Sequence, residues 1–441
     1  MATAPIRIFR TLACVTAMAL GLCTQAQSAL LRKAERLYHS YAFAQAITCY
    51  EQAFEQGAEN LDAARHLADS YRRVRDLGSS EKWYAIIVGA DEADSTDLFN
   101  YADALRANAH YAKADSIMAL YSARYRGDSR AARLSNSATN YGLLIVDPLF
   151  EARVSPTTLN SDEVDMSPVL WGKKLVFASS RSTGAGVGRK HAWDDKPFMN
   201  LYVQDSAGID LLKGSVNTRY HESNATFSAD GTEMFFTRNG FLDGRTEEGS
   251  DGFNNLHIYS ARLVKGQWSG ENAFPYNDPS FSTGHPSIAP DGRTLYFASD
   301  RPGGFGGVDI WKCTRDTTDQ WSAPVNLGAN VNTEGNEMFP NVHGEHGLFF
   351  SSDGHAGLGG LDIFLTWVYN GTAQPPKNLG SPINSRADDM SLVLAADNYN
   401  GFLCSDRNGQ RNTDLFRVVL EEPLRQRILV KGRVVSARNG E

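Results

Sequence analysis

The chain repeats itself with two different periods, and the two periods demand different secondary structures. From Leu31 to Tyr121 the interval is 34 residues without slippage. Ala34, Ala68 and Ala102 share one position, Leu37, Tyr71 and Leu105 the next, then Phe43, Leu77 and Tyr111, and Tyr50, Tyr84 and Met118. Small residues recur where two helices touch closely, and large apolar ones where they fill the gap between. Each unit reads as two helices joined by a short turn. Such a pair buries its apolar face only against a neighbour, so three units predict an all-α solenoid over residues 30–125.

The second repeat has a strand ending in Ser-Asp-Arg as its ruler. Val176–Arg181 is followed by Phe235–Arg238, Tyr296–Arg301, Phe349–Asp353 and Phe402–Arg407, at intervals of about 53 to 61 residues. A second strand follows each copy, starting at Asn200, Asn255, Asp309, Asp362 and Asp414. Tight turns such as Pro290-Asp291-Gly292 precede several copies and suit hairpins. Five copies of a multi-stranded antiparallel unit predict an all-β propeller over 141–422, with five blades expected and six as the alternative. The last copy lacks its outer strand, and Tyr141–Val146 is an orphan strand in this reading, which would complete that blade. The recurring Ser, Asp and Arg are expected to bond across the hairpin and to the next blade.

Composition marks the seam between the two repeats. Of 39 Gly and 16 Pro, five Gly and one Pro precede Tyr141. A breaker-free helical part therefore precedes a breaker-rich β part, with residues 126–140 as linker. The formal charge of −8 argues against a nucleic-acid footprint, which needs a positive surface. Cys49, Cys313 and Cys404 are odd in number and far apart, and read as small core hydrophobes rather than a disulfide or zinc framework.

The helical units resemble the tetratricopeptide repeat, although Ala58 stands where a proline usually ends the unit. Blades such as Pro290–Arg301 with Gly303–Trp311 resemble the PD40 type of WD40-like repeat found in TolB-like periplasmic propellers. Residues 1–26 carry Arg7 and Arg10, an apolar run and a small-residue cleavage pattern, which reads as a secretory signal peptide. Acylation at Cys23 is an alternative against which Leu22 argues. No later segment approaches the roughly 18 consecutive apolar residues of a membrane span. Residues 427–441 look like the first strand and turn of a carboxypeptidase regulatory-like domain, cut short.

This order of segments resembles the PorE-like multidomain OmpA-family proteins of the Bacteroidota type IX secretion system. The resemblance implies a non-catalytic periplasmic scaffold, associated with the outer membrane. Its partners would be proteins of the secretion machinery or cell envelope. Family members continue into an OmpA-like domain that binds peptidoglycan. That domain has no counterpart in the sequence, so cell-wall binding attaches to no residue here.

Two sets of residues are candidates for partner binding. Arg65, Arg72, Arg73 and Arg106 fall on the first helices of the second and third units, interleaved with Asp62, Asp69 and Asp103, and suit an extended acidic segment. The loops Ser182–Phe198 and Asn239–Asn254 interrupt the β repeat between the same two strands of adjacent blades, so they should lie side by side on one face. They carry Arg189, His191, Trp193 and Phe241, and aromatic residues beside charges suit a protein interface. The runner-up reading makes these loops the pocket of a carbohydrate-binding or hydrolytic propeller.

Catalytic patterns are weak. Gly303–Gly307 recurs in the next blade as Gly357–Gly360, which makes it a turn rather than a phosphate loop. Neither a GxSxG elbow nor an HExxH helix occurs, and Ser228–Gly231 is similar to the structural Asp box of sialidase propellers. His343, His346 and His355 cluster in sequence without a carboxylate triad. No cofactor, catalytic residue or metal ligand is therefore assigned.

Overall fold

The computed structural model describes residues 27–90, 92–126, 130, 141–146, 148–181, 190–409 and 412–425. The proposed signal peptide, nearly all of the linker, Arg189 and the 427–441 strand lie outside the described residues. A helical region is followed by a five-bladed β-propeller.

Six helices form three pairs: α1 (27–39) with α2 (Phe43–Glu55), α3 (Leu61–Arg73) with α4 (Leu77–Val88), and α5 (Ser95–Ala107) with α6 (Tyr111–Arg124). The starts of α3, α4 and α5 are set by side chains that accept otherwise orphaned helix N–H groups: Asn60 from Ala63, Asp76 from Ser79, and Asp94 within a capping box with Asp97. Ala34, Ala68 and Ala102 are fully buried, which lets the helices approach, while Tyr50, Tyr84 and Tyr121 fill the space between pairs. The turn inside each pair holds one residue in the left-handed region, Tyr41 (φ 57°), Arg75 (64°) and Ala109 (61°), again 34 residues apart. The three turns therefore form one edge of the solenoid.

Each blade is a four-strand antiparallel sheet, except the fourth, which has five strands, the outer two of them short. Blade 1 comprises β2 (Asp165–Trp171), β3 (Lys174–Ser179), β4 (Asn200–Asp205) and β5 (Gly208–Leu211). Blade 2 has β6 (Glu222–Phe227), β7 (Glu233–Asn239), β10 (Leu256–Val264) and β11 (Gln267–Ala273), with the small hairpin β8 (Phe241–Leu242) and β9 (Arg245–Thr246) in its insertion. Blade 3 is β12 (Thr283–Ile288), β13 (Thr294–Ser299), β14 (Asp309–Thr314) and β15 (Val325–Asn326). Blade 4 is β16 (Glu337–His343), β17 (Gly347–Ser352) and β18 (Asp362–Tyr369), edged by β19 (Thr372–Ala373) and β20 (Lys377–Asn378). Blade 5 is β21 (Asp389–Leu394), β22 (Asn400–Ser405) and β23 (Asp414–Leu420), completed on its outer edge by β1 (Ala152–Pro156).

An N-terminal strand thus closes the ring, but it is Ala152–Pro156, paired Val154 to Val418. Tyr141–Val146, read from the sequence as that strand, is a one-and-a-half-turn helix, α7, whose Leu144 carbonyl accepts from Ser381 N at 2.8 Å. The mistake has a physical source: a short apolar run without alternation carries no period, whereas Ala152-Arg153-Val154-Ser155 alternates.

Around the axis, every inner strand carries a bulge with a left-handed residue: Ser167 (φ 55°), Asn224 (43°), His285 (51°), Phe339 (54°) and Ser391 (54°). These residues line a central cavity of about 20 Å³. Apolar clusters fill the wedges between neighbouring blades, for example Trp171 and Phe227 with Trp268, or Phe349 with Leu392 and Phe416. At roughly 1.5–3 kcal/mol per fully buried large apolar side chain, these wedges are the main cohesive term of the ring.

Where its arginine is present, in blades 1, 2, 3 and 5, the Ser-Asp-Arg ruler is a clamp within the blade rather than a link to the next. Arg181 reaches Asp165 at 2.5 Å and the incoming crossover at Leu159 O, 2.8 Å. Arg407 does the same with Asp389 and Ile383 O. In blade 2 Arg238 lies directly opposite Glu222 in the ladder, at the register position of Ser179. It still meets Glu222 (3.1 Å) and Val216 O (2.6 Å). That two-residue shortcut explains why this blade ends in Thr237-Arg238, and it makes His257, not Asn255, the register equivalent of Asn200 and Asp309 in their own blades. Blade 3 keeps Arg301 but has Thr283 in the acid slot.

Candidate functional site

The edge of the solenoid formed by its three intra-pair turns stands on the propeller face that carries the loops between the second and third strands of each blade. Tyr41 stacks on Phe253 of the second insertion, with ring centroids 4.3 Å apart. Phe43 meets Trp193 of the first insertion edge-on at 4.7 Å. Trp193 Nε1 donates to Arg73 O at 3.0 Å, and its own carbonyl accepts from Ala44 N at 3.2 Å. At the third turn Tyr111 Oη donates to Leu358 O in blade 4 at 3.0 Å.

The second turn supplies the charge. Arg75 lies 2.5 Å from Asp388 and 3.2 Å from Asp406, both in blade 5. Burial works against the Arg75 guanidinium, but Asp388 and Asp406 outweigh it and raise its proton affinity. Asp388 is pushed up from the usual carboxylate range by burial, with Arg75 opposing. Asp353 of blade 4, also raised by burial, is held down in part by Arg72 of the solenoid. A cleft of about 210 Å³, bordered by Arg75, Asn108, Arg386 and Asp406, opens beside this junction.

The candidate arginines of the solenoid are engaged within the protein. Arg65 bonds Asp97 through Nε (3.0 and 3.2 Å), Asp62 and the Glu92 carbonyl. Arg72 and Arg73 share Asp69, at 2.6 and 3.3 Å. Burial pushes the Asp69 carboxyl up, but Arg72 and Arg73 prevail and hold it below its ordinary range. Arg73 also lies 5.9 Å from the ring centroids of both Phe43 and Trp193. Arg106 is 4% exposed and pairs with Asp103. The first helices nevertheless border an open groove of about 960 Å³, lined by Leu31, Arg32, Glu35, Asn60, Asp62 and His66. There Glu35 joins His66 (3.0 Å) to Tyr50 (2.8 Å).

The two insertions lie side by side, and with Tyr220 and His221 they build one aromatic cluster. His191 packs on His221 (4.5 Å) and Phe198 (5.7 Å), Phe198 on Tyr220 (6.0 Å), and Tyr220 on Phe241 (5.1 Å). Exposed Arg219 caps the Tyr220 and Phe241 rings at 5.3 and 5.0 Å. His191 Nε2 lies 2.8 Å from Asp194, and burial lowers the basicity of His221 to about 3. Tyr220 and Arg219 were missed from the sequence because they sit in the crossover before β6, not in an insertion. The signal available was an Arg-Tyr pair two residues before the acid slot, where three of the other four blades carry no aromatic residue.

The sequence-clustered histidines separate in space. His343 meets Asn398 Oδ1 at 2.8 Å, His346 lies beside Tyr369, and His355 meets Val331 O at 2.8 Å. Among the described residues no group of three His, Cys, Asp or Glu is placed to hold a metal ion. Cys49, Cys313 and Cys404 are buried thiols without a disulfide.

No protein-family model and no curated protein matches the chain. Among solved structures it is similar to a puromycin-hydrolysing peptidase of Mycobacterium tuberculosis, at 12% identity and TM-score 0.32, covering 58% of this chain and 45% of that one. It is also similar to a putative TolB from Agrobacterium tumefaciens, at 16% identity and TM-score 0.30, over 57% and 72% of the two chains. A third is an α-L-arabinofuranosidase from Lactobacillus brevis, at 10% identity and TM-score 0.38, over 59% and 92%. Peptidase, glycosidase and TolB propellers stand together in this set, so the likeness concerns architecture and not activity.

Proposed function

We propose that the protein is a non-catalytic scaffold whose two repeat modules act as one body. One observation carries this reading: the solenoid is seated on the propeller by aromatic and charged contacts from all three of its turns, which leaves its groove beside Arg32 and His66 open. The partly exposed Tyr220–Phe241 cluster lies next to that seat and offers a second, aromatic surface. Rigid placement of two surfaces lets one partner be held in a fixed relation to another, which suits assembly rather than turnover. A place in the periplasm at the outer membrane, and partners from the type IX secretion machinery or the cell envelope, rest on the sequence resemblance and belong to the proposal.

Crosslinked pull-down with the full chain tests it. The expectation is recovery of envelope proteins, reduced by Tyr220→Ala with Phe241→Ala or by Arg32→Glu in the groove. Equal recovery by all variants and wild type would sink the proposal. The carbohydrate-binding reading draws on the same exposed aromatic faces, since aromatic rings stack on sugars. A glycan array that gives a signal abolished by the Tyr220 and Phe241 changes would favour it.

A further inference from the structure

Blade 4 departs from the clamp that organises the other blades. Its acid slot holds Glu337, fully buried, and position 354, where the register calls for arginine, is Gly354. The vacated place is taken by His355. Its ring lies 5.9 Å from Phe350 and 5.1 Å from Phe364. These rings are the register equivalents of Phe177 and Tyr202, over which Arg181 sits at 5.0 and 5.4 Å. The Nε2 of His355 meets the crossover carbonyl of Val331 at 2.8 Å, as Arg238 meets that of Val216. Glu337 is satisfied by hydroxyl and backbone donors alone: Thr333 N and Oγ1, both at 2.7 Å, and Ser352 Oγ at 2.6 Å.

The same blade carries the third turn of the solenoid. Its loop 353–361 presents Leu358 O to Tyr111, and Asp353 faces Arg72 and Asp103 of the solenoid. At the end of the loop Asp362 is raised by burial and by Asp389 of blade 5, with Arg106 of the solenoid opposing. We infer that blade 4 is a pH-responsive element: the buried Glu337 lacks the arginine partner of the other acid slots, and its protonation sets how firmly loop 353–361 carries the third helix pair.

The direction follows from the surroundings of Glu337. Burial pushes its carboxyl up to about 7, and nearby Asp353 pushes the same way. Above that pH a buried carboxylate forms with hydroxyl donors but no guanidinium. Glu222 is raised to a similar value by burial, but there Arg238 opposes the shift and lies 3.1 Å away as a cationic partner for the carboxylate. Stability tied to Glu337 is therefore fully present below the ordinary carboxylate pKa and lost as pH rises through about 7.

Hydrogen–deuterium exchange of the full chain at pH 6 and 8, corrected for intrinsic rates, tests this. Protection of 353–361 and of the first turn of α6 is expected to fall by about tenfold between the two, which is the linkage expected of one carboxyl raised this far. The matching blade 3 loop after Arg301, which has Thr283 and no carboxyl in its acid slot, should not change. Glu337→Gln removes this carboxyl and His355→Arg supplies the missing guanidinium, so each should reduce the response, with Asp353 and Asp362 accounting for what remains. Should one of these variants fail to fold, the other and the wild-type comparison of blades 4 and 3 still decide. A blade 4 loop no more pH-sensitive than that of blade 3, or an unchanged response in the folded variants, overturns the inference.

Discussion

The indole of Trp193, in a propeller loop, donates to the main-chain carbonyl of Arg73, at the end of a solenoid helix, across 3.0 Å. The loop that interrupts the β repeat is thus accounted for in part by a contact within the chain. Trp193→Ala would remove that bond and the edge-on packing on Phe43, at a cost to docking of about 2 kcal/mol. Small-angle scattering should show a larger radius of gyration for the variant, with far-UV circular dichroism unchanged. An unaltered radius would show that Trp193 does not hold the modules together.

Arg75 is the charged counterpart of that contact. Arg75→Met strands Asp388 and Asp406 without their cation, for a loss of about 2–4 kcal/mol, discounted for partial exposure. Combining it with Asp388→Asn and Asp406→Asn should recover much of the loss, because the penalty lies in the unpaired charges. Urea unfolding of the variants measures both. If the triple variant is no more stable than Arg75→Met, the ion pairs are not the source.

The periods in the sequence set out most of this architecture, because a repeat must stack on copies of itself and its spacing is written in the chain. Five Ser-Asp-Arg rulers implied five blades, and the missing outer strand of the last implied closure from the N-terminal side. What failed was local: Tyr141–Val146 has no period to separate helix from strand. The seating of solenoid on propeller was not legible either. It depends on Tyr41, Arg75 and Tyr111, residues at or beside the three turns with no chemistry in common, meeting loops more than 100 residues away. The arginines at 65, 72, 73 and 106 stood out by charge, yet acids three to four residues away or on the first helix of the next pair already engage them.

Closure by β1 predicts an alternating response to substitution. Ala152 and Val154 pack against the cluster of Leu403, Phe416 and Leu420, whereas Ser155 is exposed. Ala152→Asp with Val154→Asp should cost about 2–4 kcal/mol and lower Tm by several degrees, since carboxylates would be pressed into an apolar wedge. Ser155→Asp and Val146→Asp, the latter on the exposed side of α7, should stay within about 0.5 kcal/mol. A large loss from Val146→Asp instead would restore Tyr141–Val146 as the closing segment.

The axis of the ring supplies an acid-side prediction. His285 stacks on Phe339 at 4.1 Å, nearly parallel, and its Nδ1 accepts from Phe339 N at 3.4 Å. Protonation would turn that acceptor into a donor facing an N–H, and burial lowers the imidazole from its ordinary value to about 4. The folded state therefore binds this proton less readily than the unfolded one. The contribution is present above about 6.5 and lost as pH falls towards 4, amounting to about 2–3 kcal/mol. His285→Asn, which also tolerates the left-handed backbone, should lower Tm at pH 7 through lost stacking but flatten its decline between pH 6.5 and 4.5. His221, lowered by burial to about 3, leaves a residual slope that His221→Asn should remove in turn. A Tm profile of equal steepness in His285→Asn and wild type would mean that the axial imidazole is not the group that titrates.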